Sequence, residues 1–348
     1  MPGVRTQGRA TTATLATMDI RAQVQQNAVA DEVSALLAVV RPILIGLLYG
    51  LKGEVVREAG GSDNVKLLML ARLRRPGDGD CGICFEYAVH DAVRARNPMV
   101  LERIDDALTR LCNVAGDDVA SILFAVEKTG SEQLIDTARD LVTDESRIRS
   151  GTRGQPAKLQ KHIEGIAQAF RRPSARQALP YSISGLWKAD LFIGHTDTDR
   201  WVGTTVKVNP SQLEGARGLR LGIVPATDTA TDAPYLDERR NLVVCPLLYD
   251  GNFMQVFFAG WRIVQAFLTA DAKMPEAVAL DRPPEREVAR VLAERRNYPV
   301  VDVVEALGAF AQPELLKTEP QQASVVLTRG DQIEMPTVIA PEALQGAA

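Results

Sequence analysis

Two textures alternate along the chain: stretches in which apolar residues recur at steps of three and four, and short runs that are almost continuously hydrophobic. The first predicts helices with one buried stripe; the second predicts strands covered on both faces. Val33, Leu36, Leu37, Val40 and Leu44 belong to a helical stretch from about Asp19 to Ala59. Pro42 is expected to kink it or to start a new helix, and Gly60-Gly61 to end it. Val65 to Leu73 fits a strand or a short buried helix, because periodicity alone does not separate the two. Asp80 is placed to N-cap a helix over Cys81 to Arg96, which stops before Asn97-Pro98. Further helices are predicted over Val100–Val114, Glu132–Val142, Lys158–Phe170, Asn252–Leu268, Pro284–Arg295 and Val301–Phe310.

The strand-like runs are Ser121–Val126, Leu219–Val224, Asn241–Leu248 and, between them, two segments that read as a hairpin. The first is Trp187 to Gly194 and the second Trp201 to Asn209, with a polar loop between. Each carries one charge out of keeping with its neighbours. Asp190 opens the first strand ahead of Leu191, Phe192 and Ile193, and Lys207 sits between Val206 and Val208. Strand interiors are poor in both residue types, so the pair calls for a reason.

Composition narrows the setting. A length of 348 residues allows a large core, and 46% hydrophobic with 24% charged residues is the balance of a globular chain. The expected organisation is an unordered stretch 1–17, a helical region 18–80, and an α/β core 81–270 with a helical and basic insert 97–180. A C-terminal helical extension and tail, 271–348, follows. The net charge of −4 means that any nucleic-acid binding must come from a local patch. Residues 147–176 supply one, with eight Lys or Arg against the single acid Glu164; Arg153, Lys158, Lys161, Arg171 and Arg172 are its candidate phosphate contacts. A solvated helix and loop explains the same composition. Cys81, Cys84, Cys112 and Cys245 form no disulfide pattern, and the Cys81-x-x-Cys84 spacing lacks a second Cys/His pair, which makes them core thiols. Arg41-Pro42 interrupts the apolar run Ala35–Leu51, so no membrane span is expected, and a cytoplasmic location is.

The candidate chemistry is metal-dependent phosphodiester hydrolysis, which needs carboxylates for a hard divalent cation and a positive group near the attacking water or the developing charge. Asp190 and Lys207 supply one of each. A second carboxylate, Glu86, lies in the helix among Ile83, Cys84, Phe85, Tyr87 and Val89, where burial is costly without a partner. Each residue also has a plainer reading. Asp190 fits a backbone acceptor at a strand start, Lys207 a guard on an edge strand, and Glu86 a solvated helix position. His90, one turn after Glu86, is read as a buried, hydrogen-bonded histidine, and His195 as a turn residue. Thr204 and Asn209 are further candidates for orienting a water or phosphate.

A helix bearing Glu86, a strand opening with Asp190 and a following strand carrying Thr205-Val206-Lys207 together resemble the PD-(D/E)xK restriction-endonuclease-like superfamily. The resemblance covers residues 81–96 and 185–265. It implies an α/β fold with a central mixed β-sheet flanked by helices, a restriction-endonuclease-like core with a helical N-terminal region and a C-terminal extension. It also implies a Mg²⁺- or Mn²⁺-dependent nuclease acting on DNA, in restriction, repair or anti-phage defence. Glu86 and Asp190 would bind metal and Lys207 would complete the catalytic set; a partner ATPase, helicase or regulatory subunit would supply any energy-driven step. Thr205 stands where the family has its second strand acid, and no proline precedes Asp190. The alternative is therefore an inactive nuclease-fold module for nucleic-acid binding or complex assembly.

Overall fold

The computed structural model of the chain describes residues 10–74, 76–124, 140–151, 155–226, 233–249, 253–312, 324–325 and 337–338. Residues 1–316 form one unit and 317–348 another. In the second, the two-residue segments Ser324–Val325 and Thr337–Val338 pair antiparallel.

The first unit is mixed α/β. It opens with α1 (Ala10–Tyr49), α2 (Gly53–Glu58), α3 (Leu67–Leu73), α4 (Asp78–Arg94) and α5 (Pro98–Asp106). Strands β1 (Val119–Leu123), β2 (Arg147–Arg149) and β3 (Ala157–Lys158) precede α6 (Leu159–Arg171). Then come β4 (Leu191–His195), β5 (Arg200–Val206), β6 (Leu219–Pro225), β7 (Tyr235–Asp237) and β8 (Leu242–Leu247). The helices α7 (Phe253–Thr269), α8 (Pro283–Glu294) and α9 (Val300–Gly308) follow.

The eight strands make one sheet in the order β1-β4-β5-β6-β8-β7, with β2 and β3 attached beside the start of β5. β1, β4 and β5 are antiparallel neighbours; β5, β6 and β8 run parallel, and β7 returns antiparallel on β8. Both faces are covered, which is why the strands read as apolar runs rather than as alternation. Leu191, Ile193, Val202, Val206, Leu221, Ile223 and Val243 join one core with helices α1, α4 and α7. Phe192, Trp201, Leu219, Leu242 and Val244 join a second core with Leu159, Ile163 and Ile166 of α6.

Several expectations are altered by packing. α1 runs unbroken through Pro42. A proline inside a helix costs about 3 kcal/mol or more, and here the helix packs against α4, α7, α8 and α9, with Val40, Ile43, Leu44, Leu47 and Leu48 fully buried. Ala30–Tyr49 is consequently long and apolar enough to cross a membrane, against the expected interruption, and 67% of that window is buried inside the fold. The ambiguous stretch after Val65 is helical. Asp80 is not the cap of α4: Gly77 is, and the Asp80 carboxylate accepts from the Gly77 N–H at 3.2 Å. The predicted helix over Val100–Val114 starts earlier, with Asn97 accepting from Met99 and Val100 N–H groups at 3.1 Å, and widens into a π turn over Ala107–Leu111. Most of the predicted helix Glu132–Val142 lies outside the described residues.

Candidate active site

The hairpin forms as the apolar runs predict, and its register sets the site. Leu191 pairs with Thr204, so Asp190, the residue just before β4, lies opposite Thr205. Its main chain is held on both sides: Asp190 N–H donates to Thr204 O and Phe124 N–H donates to Asp190 O, each at 2.8 Å. Lys207 follows directly on β5, and its N–H donates to Ile223 O of β6 at 3.0 Å. Both charged residues are thereby fixed by three neighbouring strands at one end of the sheet.

Their side chains meet. Asp190 Oδ2 accepts from Lys207 Nζ at 2.7 Å, from Val206 N–H at 2.9 Å and from Thr205 Oγ1 at 3.0 Å. Glu86, on the face of α4 turned toward the sheet, brings Oε1 to 3.6 Å from the same Lys207 Nζ. One ammonium is thus shared by two carboxylates from distant parts of the chain. The Asp190 and Glu86 side chains are 1% and 9% exposed, whereas Lys207 is 28% exposed. The lysine is therefore the member of the cluster that solvent reaches first.

The plainer readings fare differently. β5 lies between β4 and β6, so Lys207 guards no edge. Glu86 is buried rather than solvated. Asp190 does accept a backbone N–H, as a strand-start aspartate would, while also contacting Lys207 and Thr205. Thr205 is the residue whose part was least visible in the sequence. Where a carboxylate is expected by resemblance, its hydroxyl instead donates to Asp190.

The remaining candidates lie elsewhere or are occupied. Thr204 is buried, its hydroxyl 3.5 Å from Val202 O. Asn209 Oδ1 accepts from Ser211 N–H and Oγ at 3.0 and 2.8 Å, capping the short turn Pro210–Gln212. His90 is buried with Nδ1 2.7 Å from Ser121 Oγ of β1, and burial, aided by Arg94, pushes its pKa down to about 3. His195 is not in a turn: it ends β4 fully buried, with Nε2 3.4 Å from Asp105 Oδ1. Cys81, Cys84, Cys112 and Cys245 are all buried free thiols, and burial pushes Cys112 and Cys245 up to about 12.

The basic residues of segment 147–176 sit in several settings. Arg153 lies outside the described residues. Lys158 faces Glu145 at 3.7 Å, while Lys161, Arg171 and Arg172 are exposed on or just after α6. α6 packs on the turn Leu186–Lys188 that leads into Asp190. A separate surface pocket of about 460 Å³, lined by Glu294, Arg295, Tyr298, Asp302, Val303 and Ala306, shares no residue with this cluster.

Glu86 and Asp190 are carboxylates of the kind that hold Mg²⁺, which is commonly bound through one or two of them and completes its shell with water and phosphate oxygens; here Lys207 Nζ lies between the two. Among the described residues no three His, Cys, Asp or Glu side chains gather into a larger ligand set. No family model, curated protein or solved structure matches the chain.

Proposed function

We propose that this chain is a metal-dependent nuclease with a restriction-endonuclease-like core, hydrolysing DNA phosphodiesters in a cytoplasmic setting. The observation that carries the reading is the convergence on Lys207 Nζ of Asp190 at 2.7 Å and Glu86 at 3.6 Å, from a strand start and a helix far apart in the sequence. The mixed sheet with helices packed on it supports the α/β part of this reading. Glu86 and Asp190 are the residues that would hold Mg²⁺ or Mn²⁺. A bound divalent ion would supply a polarised phosphoryl oxygen and an acidified water.

The chain's own residues would do the rest. Lys207, the solvent-facing member, would meet the scissile phosphate and balance the charge that develops on it. Thr205 and the Val206 N–H hold Asp190 in one orientation, so that the carboxylate needs little reorganisation. Purified protein incubated with plasmid and Mg²⁺ or Mn²⁺ tests this, beside Asp190→Asn and Lys207→Ala. Cleavage by the parent alone is expected; equal nicking by all three would show a contaminant and remove the support.

One observation favours a second reading, an inactive nuclease-fold module for DNA binding or assembly with a partner ATPase, helicase or regulatory subunit. Thr205 takes the second strand acid's position and Lys207 already neutralises Asp190. Salt-dependent DNA binding without cleavage under any metal would support that reading instead.

A further inference from the structure

The segment leading into Asp190 carries two aromatic residues stacked with cations: Tyr181 is turned to the surface, and Trp187 is half-buried against the second core. Tyr181 is 69% exposed and bears the Arg217 guanidinium 3.7 Å from its ring centre. Arg176 lies 3.6 Å over the Trp187 ring, with Lys188 Nζ 5.6 Å from the same ring. These two stacks are joined by backbone, since Gly185 N–H donates to Arg217 O at 2.8 Å. A side chain at Gly185 would strike Ala216 and Arg217, so the close approach depends on that glycine.

The line continues to the cluster. Lys188 Nζ pairs with Glu214 at 2.8 Å. Lys188 itself lies two residues before Asp190, whose carboxylate meets Lys207 Nζ at 2.7 Å. The contacts of Tyr181, Arg217, Arg176, Trp187 and Lys188 therefore lie along the segment that leads into the Asp190–Lys207 pair.

From this surface we infer that the strip binds unpaired nucleotides and delivers a single-stranded segment to the Asp190–Lys207 end of the sheet. The inference rests on the nuclease reading for its destination, though not for the binding itself. Duplex bases are stacked on one another and present no free faces, so exposed aromatic rings gain little from a duplex. Unpaired bases stack on such rings, and guanidinium and ammonium groups beside them meet the phosphates. The pattern fits nucleic acid better than an acidic protein partner, which would use the cations and leave the Tyr181 face idle.

The test is binding by the full chain carrying Asp190→Asn, in EDTA, to fluorescein-labelled oligo-dT and to a duplex of the same length. Oligo-dT is expected to bind tighter than duplex, with affinity falling as salt rises. Tyr181→Ala should weaken oligo-dT binding about tenfold, Tyr181→Trp should restore it, and neither should change duplex binding. Arg217→Gln should weaken oligo-dT binding and flatten its salt dependence. The inference is overturned by duplex binding as tight as oligo-dT, by Tyr181→Ala leaving oligo-dT binding intact, or by no nucleic-acid binding at all. Intact Tyr181-dependent binding in a protein that never cleaves would count against the nuclease reading alone.

Discussion

Lys207 Nζ stands 2.7 Å from Asp190 Oδ2, and the aspartate side chain is almost wholly buried while the lysine keeps 28% of its surface in water. The pair is lopsided: the charge that could rehydrate is the cation, and the one that cannot is the anion. Removing the lysine head therefore strands a carboxylate in the sheet. Lys207→Met should destabilise the fold by about 1–3 kcal/mol, less than a fully buried pair because the lysine remains partly wet. Urea unfolding measures it. Adding Asp190→Asn should recover part of the loss, a non-additivity that independent sites would not give.

Thr205 offers a finer probe of the same carboxylate. Its hydroxyl is one of three donors to Asp190 Oδ2 and is itself buried. Thr205→Val keeps the shape and removes the donor, at a cost of about 1–2 kcal/mol in urea unfolding. Thr205→Ser, which retains the hydroxyl, should lose clearly less; equal losses would assign the effect to packing rather than to the hydrogen bond.

Much of this arrangement was legible in the chain. The hairpin, the helix carrying Glu86 and the oddity of Asp190 and Lys207 all follow from local pattern. Pro42 starts no new helix, because four packed helices keep α1 continuous through it where local backbone chemistry alone would allow a break. His195 looked like a turn residue because polar residues follow it, but the β1–β4 register pairs it with Val119 and carries the strand one residue further. Thr205's bond to Asp190, and the stacks of Arg217 on Tyr181 and Arg176 on Trp187, depend on tertiary neighbours. The run Tyr181 to Lys188, aromatic and basic directly before Asp190, is the signal that could have pointed to them.

The glycine at position 194 tests the hairpin itself. A Cβ there would sit 2.1 Å from Arg200 O and 2.8 Å from Trp201 Cα, both backbone atoms of the paired strand. No side-chain rotation relieves such a clash. Gly194→Ala should cost about 1–3 kcal/mol, in the range of other overpacked interiors, and lower the thermal midpoint accordingly. A stability equal to the parent would mean that β4 and β5 pair differently.

His90 makes stability depend on pH in a defined window. Its folded pKa is lowered from 6.5 to about 3, chiefly by burial. Between those values the unfolded chain binds a proton that the folded chain does not. Stability therefore rises with pH across the window and is lost as pH falls below about 6.5, with a limiting slope near 1.4 kcal/mol per pH unit from this one group. Urea unfolding across the window should show this slope in the parent. His90→Gln, which can still reach Ser121, should flatten it. An unchanged slope would assign the acid sensitivity to other groups.

Metal binding gives the last prediction, because the lysine and the ion would compete. A ligand that binds only the folded chain stabilises it by about 2.7 kcal/mol at one hundred times its dissociation constant. Saturating Mn²⁺ or Mg²⁺ should thus raise the thermal midpoint of the parent, and Glu86→Gln or Asp190→Asn should abolish the rise. Lys207 Nζ occupies the space between the two carboxylates, 2.7 and 3.6 Å from them. Lys207→Met should accordingly start from a lower midpoint yet show a larger metal-induced rise, since the ion no longer works against the ammonium. Catalysis and metal affinity would then move in opposite directions in that variant, with cleavage lost while binding tightens. A rise that is the same in all four proteins would mean that the ion binds elsewhere on the surface, and no rise in the parent would remove the metal-holding role from Glu86 and Asp190.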